Sequence, residues 1–245
     1  MIGGVTTSAA TTASLRLNRK QIEYYKVLRQ CSVVEKLGWN RSDVKSESQA
    51  DYFWLVFLLL RMMIRGKLVI LRPLSIADAP RFCGWLADLE VTKFLNIHDL
   101  PPPTLHEERE WLRQARADRK NIYFAIDTID GVHIGSIGLR IKDGSGKVAE
   151  YGILIGDKRY WGQGCGTEAG VLMVEYGFRK LKLHRIYLKY IAYNIRGRAS
   201  YKKIGFKHEG RLRQHLFHNG YWHDKILMGL LREEYIEKLK IKSKI

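Results

Sequence analysis

The residues with the clearest capacity for chemistry form a glycine-rich stretch between a predicted strand and a predicted helix. Residues 160–168 read Tyr-Trp-Gly-Gln-Gly-Cys-Gly-Thr-Glu. Glycines let the backbone approach a ligand closely and leave successive N–H groups unobstructed, and a helix that begins there adds the positive end of its dipole. The stretch therefore predicts a binding site for a pyrophosphate group. A tight turn without a ligand needs the same glycines, so the pattern alone leaves both interpretations open.

Missing motifs argue against several other chemistries. Position 167 is Thr where the dinucleotide-binding fingerprint requires glycine, and the sequence contains no phosphate-binding loop of the Gly-x4-Gly-Lys-Ser/Thr type. It also lacks a His-Glu-x-x-His zinc motif and a Gly-x-Ser-x-Gly nucleophile turn. His215, His218 and His223 have no acidic or thiol companion at metal-ligand spacing, which favours a surface hairpin over a metal site.

Hydrophobic periodicity and turn residues predict the elements that must position this stretch. Ser75 is predicted to cap the first helix, and Thr104 with Glu107 forms the capping-box pattern of the second. The predicted helices cover 76–86, 105–118, 167–181 and 194–204, and the predicted strands cover 67–72, 122–127, 133–140, 148–155, 185–191, 206–212 and 225–231. Antiparallel strands followed by a βαβα segment and a hairpin predict an α+β fold with a mixed, mostly antiparallel sheet.

Two motifs at a characteristic separation make the chain resemble one family. The first is Trp161-Gly-Gln-Gly-Cys-Gly166, and the second, after one more strand, is Asn194-Ile-Arg-Gly-Arg-Ala-Ser-Tyr-Lys-Lys-Ile-Gly-Phe206. Together they resemble the acetyl-CoA-binding core of the GNAT superfamily of N-acetyltransferases. Tyr-Trp-Gly in the loop, Leu71-Arg-Pro-Leu and Asn219-Gly-Tyr-Trp-His-Asp-Lys are similar to the branch with ribosomal-protein N-terminal and spermidine acetyltransferases. The resemblance covers roughly residues 63–234.

The resemblance implies the GNAT-type acyl-CoA N-acyltransferase fold, acetyl-CoA as the donor substrate and no metal. It implies that the glycine-rich loop holds the pyrophosphate of coenzyme A, although Trp161 stands where Arg or Gln is usual. It also implies that strand 148–155 separates from strand 185–191, so that its N–H groups bond the pantetheine and the carbonyl oxygen. The cofactor-binding residues predicted in this way are Leu154, Ile155, Trp161, Gly162, Gln163, Gly164, Cys165, Gly166, Thr167, Asn194 and Lys203.

The catalytic assignments rest on the same resemblance. Tyr201 falls at the family's general-acid position and would protonate the departing sulfur, whereas spacing alone favours a core tyrosine. Asn194 either contacts the pantetheine or caps its helix, and Lys203 either meets a phosphate or faces solvent. Glu150 is the candidate general base. Alternation sets it on the same face as Leu154, but the sequence does not say which face that is.

The predicted function is transfer of an acetyl group to a primary amine of a protein N-terminus, a polyamine or an amino-sugar. The net charge of +17, with 18 basic and 5 acidic residues in 179–245, favours anionic partners and argues against a polycationic acceptor. It leaves a second class open, a ribosome- or nucleic-acid-associated binding module. Against that class, the sequence shows no recognition helix and no RNA-binding aromatic motif. A homodimer also stays open.

Residues 1–62 are predicted to be an N-terminal extension ahead of an acetyltransferase domain at 63–245. The extension divides into a helix over 15–37, a polar linker over 38–51 and an apolar run over 53–60. The run is interpreted as a docking helix, as a membrane-surface anchor, or as part of an upstream extension of a chain that starts at Met62 or Met63.

Composition and cysteine use indicate the cellular setting. Hydrophobic residues at 46% and charged residues at 27% exclude a disordered or collagen-like chain. The eight-residue apolar run is shorter than the roughly 20 residues of a membrane-spanning helix, and no secretory signal pattern is visible. Three cysteines without a Cys-x-x-Cys pair suit a reducing compartment, and Cys165 is predicted to fill space rather than to react. We expect a cytoplasmic protein without a membrane partner.

Overall fold

A computed structural model describes residues 63–95 and 100–242. The helix, linker and apolar run predicted within residues 1–62 lie outside the described residues. Within the described part of the chain, no helix combines the length and the apolar character needed to cross a membrane.

The described chain begins with two short strands and a capped helical segment. Strand β1 (Ile64–Arg65) pairs with β2 (Val69–Pro73), and Ser75 then forms a capping box with Asp78. The helix predicted over 76–86 is divided into a 3-10 turn (Ile76–Asp78) and α1 (Ala79–Leu86). The division follows from Pro80, because this residue has no N–H to continue α-helical hydrogen bonding back to the preceding turn.

Two further capped helices follow. Asp88 caps the short helix α2 (Leu89–Thr92), its carboxylate accepting the N–H of Glu90 at 2.9 Å. Helix α3 (Leu105–Ala117) begins after the predicted capping box, in which Thr104 N–H donates to Glu107 at 2.7 Å and Thr104 Oγ1 accepts from the N–H of Glu107. The helix start predicted from this pattern is confirmed.

The middle of the chain is an antiparallel meander, as its alternating strands and turn residues predicted. It consists of β3 (Ile122–Thr128), β4 (His133–Ile141) and β5 (Val148–Ile155). Asp143 fixes the turn before β5, because its carboxylate accepts the N–H groups of Lys147 at 3.1 Å and Val148 at 2.9 Å.

The last third alternates helices and strands and then forms a long hairpin. Its elements are α4 (Cys165–Arg179), β6 (Arg185–Ile191), α5 (Ile195–Ile204), β7 (Lys207–His218), β8 (Tyr221–Leu231) and α6 (Arg232–Lys242). Asn219 and Gly220 both have positive φ (50° and 78°), which is the conformation of a two-residue hairpin turn. Both hairpin strands are longer than predicted, and α6 was not predicted from the sequence.

The strands form one sheet in the order β1-β2-β3-β4-β5-β6-β8-β7. Every neighbouring pair is antiparallel except β5 and β6, which are parallel. The predicted α+β class and mixed sheet are confirmed. A parallel pair requires a long crossover connection, and α4 provides it.

The two faces of the sheet carry separate cores, and β5 contributes to both. Tyr151, Ile153 and Ile155 pack in the larger core beneath α4, together with buried residues such as Met173. Leu154 points the other way and packs in the smaller core beneath α1 and α3. Odd-numbered residues of β5 therefore face α4 and even-numbered residues face the opposite side, because side chains alternate along a strand.

Candidate active site

The parallel strands β5 and β6 pair over only three residues each. Their register ends with the pair Glu150–Tyr187. Beyond it, β5 continues to Ile155 against β4, and β6 continues to Ile191 against β8, but the two strands no longer pair with each other. The separation expected between these strands is present and leaves a gap at the centre of the sheet.

Backbone hydrogen bonding decides which N–H groups point into this gap. Lys142 N–H donates to Val148 O, and Gly156 N–H donates to Ile134 O, so the even-numbered residues of β5 face β4. In an antiparallel ladder the intervening residues face the other way, which directs the N–H groups of Ile153 and Ile155 into the gap. Two residues at this end of β5 were predicted to bind the cofactor. The N–H of Ile155 points into the gap as that role requires, whereas the N–H of Leu154 faces β4, so the prediction for Leu154 is wrong.

The glycine-rich loop beside the gap owes two of its glycines to backbone conformation. Gly162 and Gly164 have φ of 76° and 87°, a region that residues with a Cβ rarely adopt. Gly164 is the N-cap of α4 and provides no side-chain cap, so no side chain at that position occupies the first N–H groups of the helix. Gly166 serves close packing instead, because an added Cβ there would lie 3.3 Å from Ile155 Cγ1.

Trp161 joins the loop to β5 and to α5, the helix that follows β6. Its indole Nε1–H donates to Ile155 O at 2.7 Å. The guanidinium carbon of Arg196, in the first turn of α5 after β6, lies 3.9 Å from the centroid of the Trp161 ring. This cation–π contact spans the open end of the gap. Trp161 was predicted to bind the cofactor and to depart from the family pattern, but neither of these two contacts was predicted.

Three more loop residues that were predicted to bind the cofactor make contacts within the protein. Gln163 Nε2 donates to Arg159 O at 2.5 Å, and Thr167 Oγ1 lies 3.0 Å from Ser200 Oγ, which links α4 to α5. Cys165 is buried, and this burial raises the pKa of its thiol, as suits the packing role predicted for it. Lys203 is exposed one turn beyond Ser200 on α5.

Glu168 holds the start of the sheet to this end of α4, and sequence reasoning missed it. Its carboxylate accepts three consecutive backbone N–H groups, from Lys67 at 2.9 Å, Leu68 at 2.6 Å and Val69 at 2.9 Å. The negative charge in the first turn of α4 is thereby directed to the β1–β2 turn. A spacing of about a hundred residues leaves no local signal for such a contact.

The structure resolves the two interpretations of Asn194 in part and gives Tyr201 an aromatic environment. Asn194 Oδ1 accepts the N–H of Gly197 at 2.8 Å, so it caps α5. The Tyr201 ring lies 5.6 Å from that of Tyr190 and 6.1 Å from that of Tyr151, centroid to centroid. Burial, with a smaller contribution from Tyr190, raises the pKa of Tyr201 to about 12, so its phenol is protonated at neutral pH.

Glu150 lies on the face opposite α4, where the two strands begin to separate. Its Oε2 is 3.2 Å from Arg140 Nη2 and 3.1 Å from Lys142 Nζ. The alternation of β5 decides the face that the sequence left open. The carboxylate therefore approaches the gap from one side of the sheet, whereas Tyr201 lies on the other side with α5.

A second aromatic group, also missed from sequence, borders the gap on the side of the hairpin. Tyr193 Oη donates to Lys93 O at 2.5 Å and lies 3.1 Å from His218 Nδ1. Phe94 contacts both Tyr193 and Trp161, with centroid distances of 6.1 Å and 6.3 Å. Among residues 63–95 and 100–242, no group of three His, Cys, Asp or Glu side chains is arranged to hold a metal ion.

Comparison with known proteins gives one consistent result. The family described as the acetyltransferase (GNAT) domain matches residues 69–207. The probable N-acetyltransferase YjcK of Bacillus subtilis is 31% identical over 179 residues, which cover 70% of this chain and 98% of YjcK. The spermidine N(1)-acetyltransferase of Escherichia coli K12 is 29% identical over 149 residues, covering 60% of this chain and 72% of that enzyme.

Solved structures show the same fold. Mycobacterium smegmatis RimJ, determined in complex with CoA-disulfide, superposes with a TM-score of 0.61 at 23% sequence identity. The match covers 68% of this chain and 83% of RimJ.

Proposed function

This chain belongs to the GNAT acetyltransferase family and is an acetyl-CoA-dependent N-acetyltransferase, and from that premise we propose that it acetylates a primary amine by direct transfer while donor and acceptor are bound together. The acceptor classes that we consider are a protein N-terminus, a polyamine and an amino-sugar. One observation carries the proposal: β5 and β6 separate beside the N-terminus of α4. Unpaired strand N–H groups and a helix end suited to phosphate thereby surround one opening.

The donor side is assigned to the loop and to α4. Acetyl-CoA would supply the acetyl thioester and a thiolate leaving group. We assign its pyrophosphate to the N–H groups that follow Gly162 and Gly164, whose positive φ and lack of side chains suit a close approach by a ligand. Two observations support this assignment. Gly164 has no side chain to cap the helix, and the Glu168 carboxylate is engaged by the β1–β2 turn, so no side chain competes for the helix end.

The N–H groups of Ile153 and Ile155 are assigned to the pantetheine and to the carbonyl oxygen that gains negative charge during transfer. Donors that are fixed in advance stabilise such charge without reorganisation, and one donor of this kind is worth roughly 3 kcal/mol in other enzymes. The hydrogen bond from Trp161 to Ile155 O supports this role, since it anchors the strand end at which these donors lie.

Tyr201 is assigned as the acid that protonates the departing sulfur. A pKa of about 12 keeps its phenol protonated through the neutral and mildly alkaline range, so the proton is available whenever the thiolate forms. Its position on α5, packed against Tyr151 of β5, is consistent with reach into the gap from the α4 side of the sheet.

Glu150 is assigned as the base that takes the proton of the amine, directly or through a water molecule. Its place at the point of strand separation, on the face opposite Tyr201, supports this role. In this arrangement the amine approaches from the Glu150 face, and the sulfur is protonated from the α5 face.

Nucleic-acid binding receives less support as a separate function. The basic residues of 179–245 lie on different elements, and several are neutralised by acidic neighbours. Lys207 pairs with Glu234 at 2.7 Å, and Arg185 pairs with Glu209 at 2.5 Å. A gel shift at low and at physiological salt tests this alternative, because phosphate binding would give retention that falls steeply with salt.

Two measurements test the proposed function. Acetyl-CoA should raise the unfolding midpoint of the full chain, and release of free thiol from acetyl-CoA should depend on a primary amine. Amine-dependent thiol release with no acetylated product found by mass spectrometry would contradict the proposal, as would the absence of any stabilisation by acetyl-CoA.

A further inference from the structure

The acceptor side of the gap contains an open space above Gly152. Gly152 is exposed, and a Cβ built on it would meet no atom within 4 Å. Its partner on β4, Gly138, is covered by the ring of Tyr123, whose Cδ1 would lie 2.6 Å from an added Cβ. The two paired glycines therefore leave an open surface on this face of the sheet. Tyr123 borders the surface on the β4 side, and Glu150 lies next to it on β5.

Two lysines lie on this same face of the sheet, on the other side of the gap. Lys189 follows Tyr187 by two residues on β6, so its side chain lies on the face of Glu150 and Gly152, just beyond the last pair of β5 and β6. Lys225 of β8 follows one step further along the same face, since it pairs with Ile191 of β6. Lys189 is exposed and Lys225 is half-buried.

The cations on this face outnumber the carboxylates. Arg140 and Lys142 share the single carboxylate of Glu150. No described carboxylate lies within ion-pair distance of Lys189 or Lys225. Burial and the nearby charge of Lys189 lower the pKa of Lys225, and the charge of Glu150 opposes them only in part. Lys225 thus carries its charge at a cost that a bound anion would remove.

We propose that the acceptor carries an anionic group close to its amine, and that Lys189 and Lys225 bind this group while Glu150 receives the amine. The proposal rests on the proposed function and specifies its substrate class. The anion is a carboxylate or a phosphate, as in a peptide whose N-terminal residue is followed by acidic residues, or in a phosphorylated amino-sugar. A polyamine would instead set its second ammonium group against the two lysines, and like charges in contact disfavour binding.

The test compares acceptors that differ only in charge. The probes are the amidated tripeptides Ser-Glu-Glu, Ser-Gln-Gln and Ser-Lys-Lys, and glucosamine with and without a 6-phosphate. Thiol release from acetyl-CoA gives kcat/KM for each, at low and at physiological salt. We expect the anionic member of at least one set to exceed its neutral counterpart by about tenfold, as one charge-assisted hydrogen bond allows, and we expect salt to reduce the preference. The two sets distinguish a carboxylate from a phosphate.

Three substitutions assign the preference to residues. Lys225→Gln and Lys189→Gln should each lower kcat/KM for the anionic acceptor by about tenfold, mainly through KM, and should change the neutral acceptor little. Lys180→Gln is the matched control, since it removes the same charge from an exposed position at the end of α4. Stabilisation by acetyl-CoA, measured for every variant, verifies that the fold and the donor site are intact.

Each contrary outcome has a distinct meaning. Equal or better use of neutral or cationic acceptors would overturn the inference and leave the proposed function standing. A preference for anions that survives both lysine substitutions would overturn the assignment to Lys189 and Lys225. Stabilisation by acetyl-CoA without acetylation of any amine would overturn the proposed function and this inference with it.

Discussion

Replacing Gly164 by Asp and by Asn separates shape from charge at the proposed pyrophosphate site. Gly164 has φ of 87°, and the nearest atom to an added Cβ is Leu68 Cδ1 at 3.4 Å, an ordinary contact. Both side chains therefore fit, and both residues tolerate left-handed backbone better than others do. The strain should be about 1 kcal/mol for each. The two variants differ in one respect, the negative charge at the N-terminus of α4.

The charge should have opposite effects without and with the ligand. In the free protein, a carboxylate beside the helix N-terminus stabilises by about 0.3–1 kcal/mol, so the Asp variant should unfold at a slightly higher temperature than the Asn variant. With acetyl-CoA at a hundred times its dissociation constant, the wild type should gain about 2.7 kcal/mol. This corresponds to a rise of roughly 5–11 °C for a domain of this size. If the carboxylate weakens binding about a hundredfold, the gain at the same ligand concentration falls to about 0.4 kcal/mol, or roughly 1 °C.

The assay is thermal unfolding of the full chain and its two variants, each with and without acetyl-CoA. The expected result is a reversal: Gly164→Asp is the more stable variant alone, and Gly164→Asn is the more stable variant in the presence of the ligand. If Gly164→Asp keeps the full wild-type rise, the pyrophosphate does not bind at this helix end. Loss of the rise in both variants would instead indicate that any side chain blocks the backbone approach.

Three further substitutions test the other parts of the site and the sheet that supports it. Tyr201→Phe should lower kcat by about a hundredfold. Because the pKa of Tyr201 is about 12, this loss should be the same from pH 6 to pH 10. Unchanged turnover would exclude Tyr201 as the acid. Gly152→Val should raise KM for the acceptor while leaving stabilisation by acetyl-CoA intact, and weakened donor binding would mean that the open space is not on the acceptor side. For Asp78, burial raises the pKa, but the hydrogen bonds and charge of Arg72 outweigh it and hold the pKa below its usual value. The carboxylate therefore stabilises the fold above roughly pH 4, and this contribution is lost as the pH falls through the lowered pKa. Asp78→Asn should lower the free energy of unfolding by about 3 kcal/mol at neutral pH. In unfolding curves measured over a pH series, the variant should lose less stability than the wild type on acidification, and an equal loss would show that Asp78 is not responsible.

Local signals in the sequence were sufficient for most of the elements. The Thr104–Glu107 capping box and the Asn219-Gly220 turn each depend on interactions within a few residues, and the structure contains both. The boundaries that differ have local causes too, such as Pro80 dividing the first predicted helix. The helix α6 was missed because its residues have little apolar periodicity, and its stability comes from packing, as by Tyr235 on Phe178.

The site could be predicted only as far as motifs reach. The positions of Gly162 and Gly164 followed from residue type, because positive φ is a local requirement. The contacts that hold the loop did not follow, since Arg196 on Trp161 and Glu168 on the β1–β2 turn join residues far apart in sequence. The same holds for Leu154, whose N–H direction depends on the register between β4 and β5.

The register of β5 is the reason that one strand can serve both substrates. Its odd-numbered residues turn their side chains to α4 and their N–H groups into the gap, whereas Glu150 and Gly152 face the other side. In the proposed assignment, donor and acceptor functions therefore alternate along a single strand, and a slip of one residue would exchange them. Two features oppose such a slip: Leu154 fills the smaller core and Tyr151 the larger one, so both faces are specified by packing. Neither Lys189 nor Lys225 contributes to the core. Substitutions at these two positions can therefore change the charge of the proposed acceptor face without disturbing the donor side.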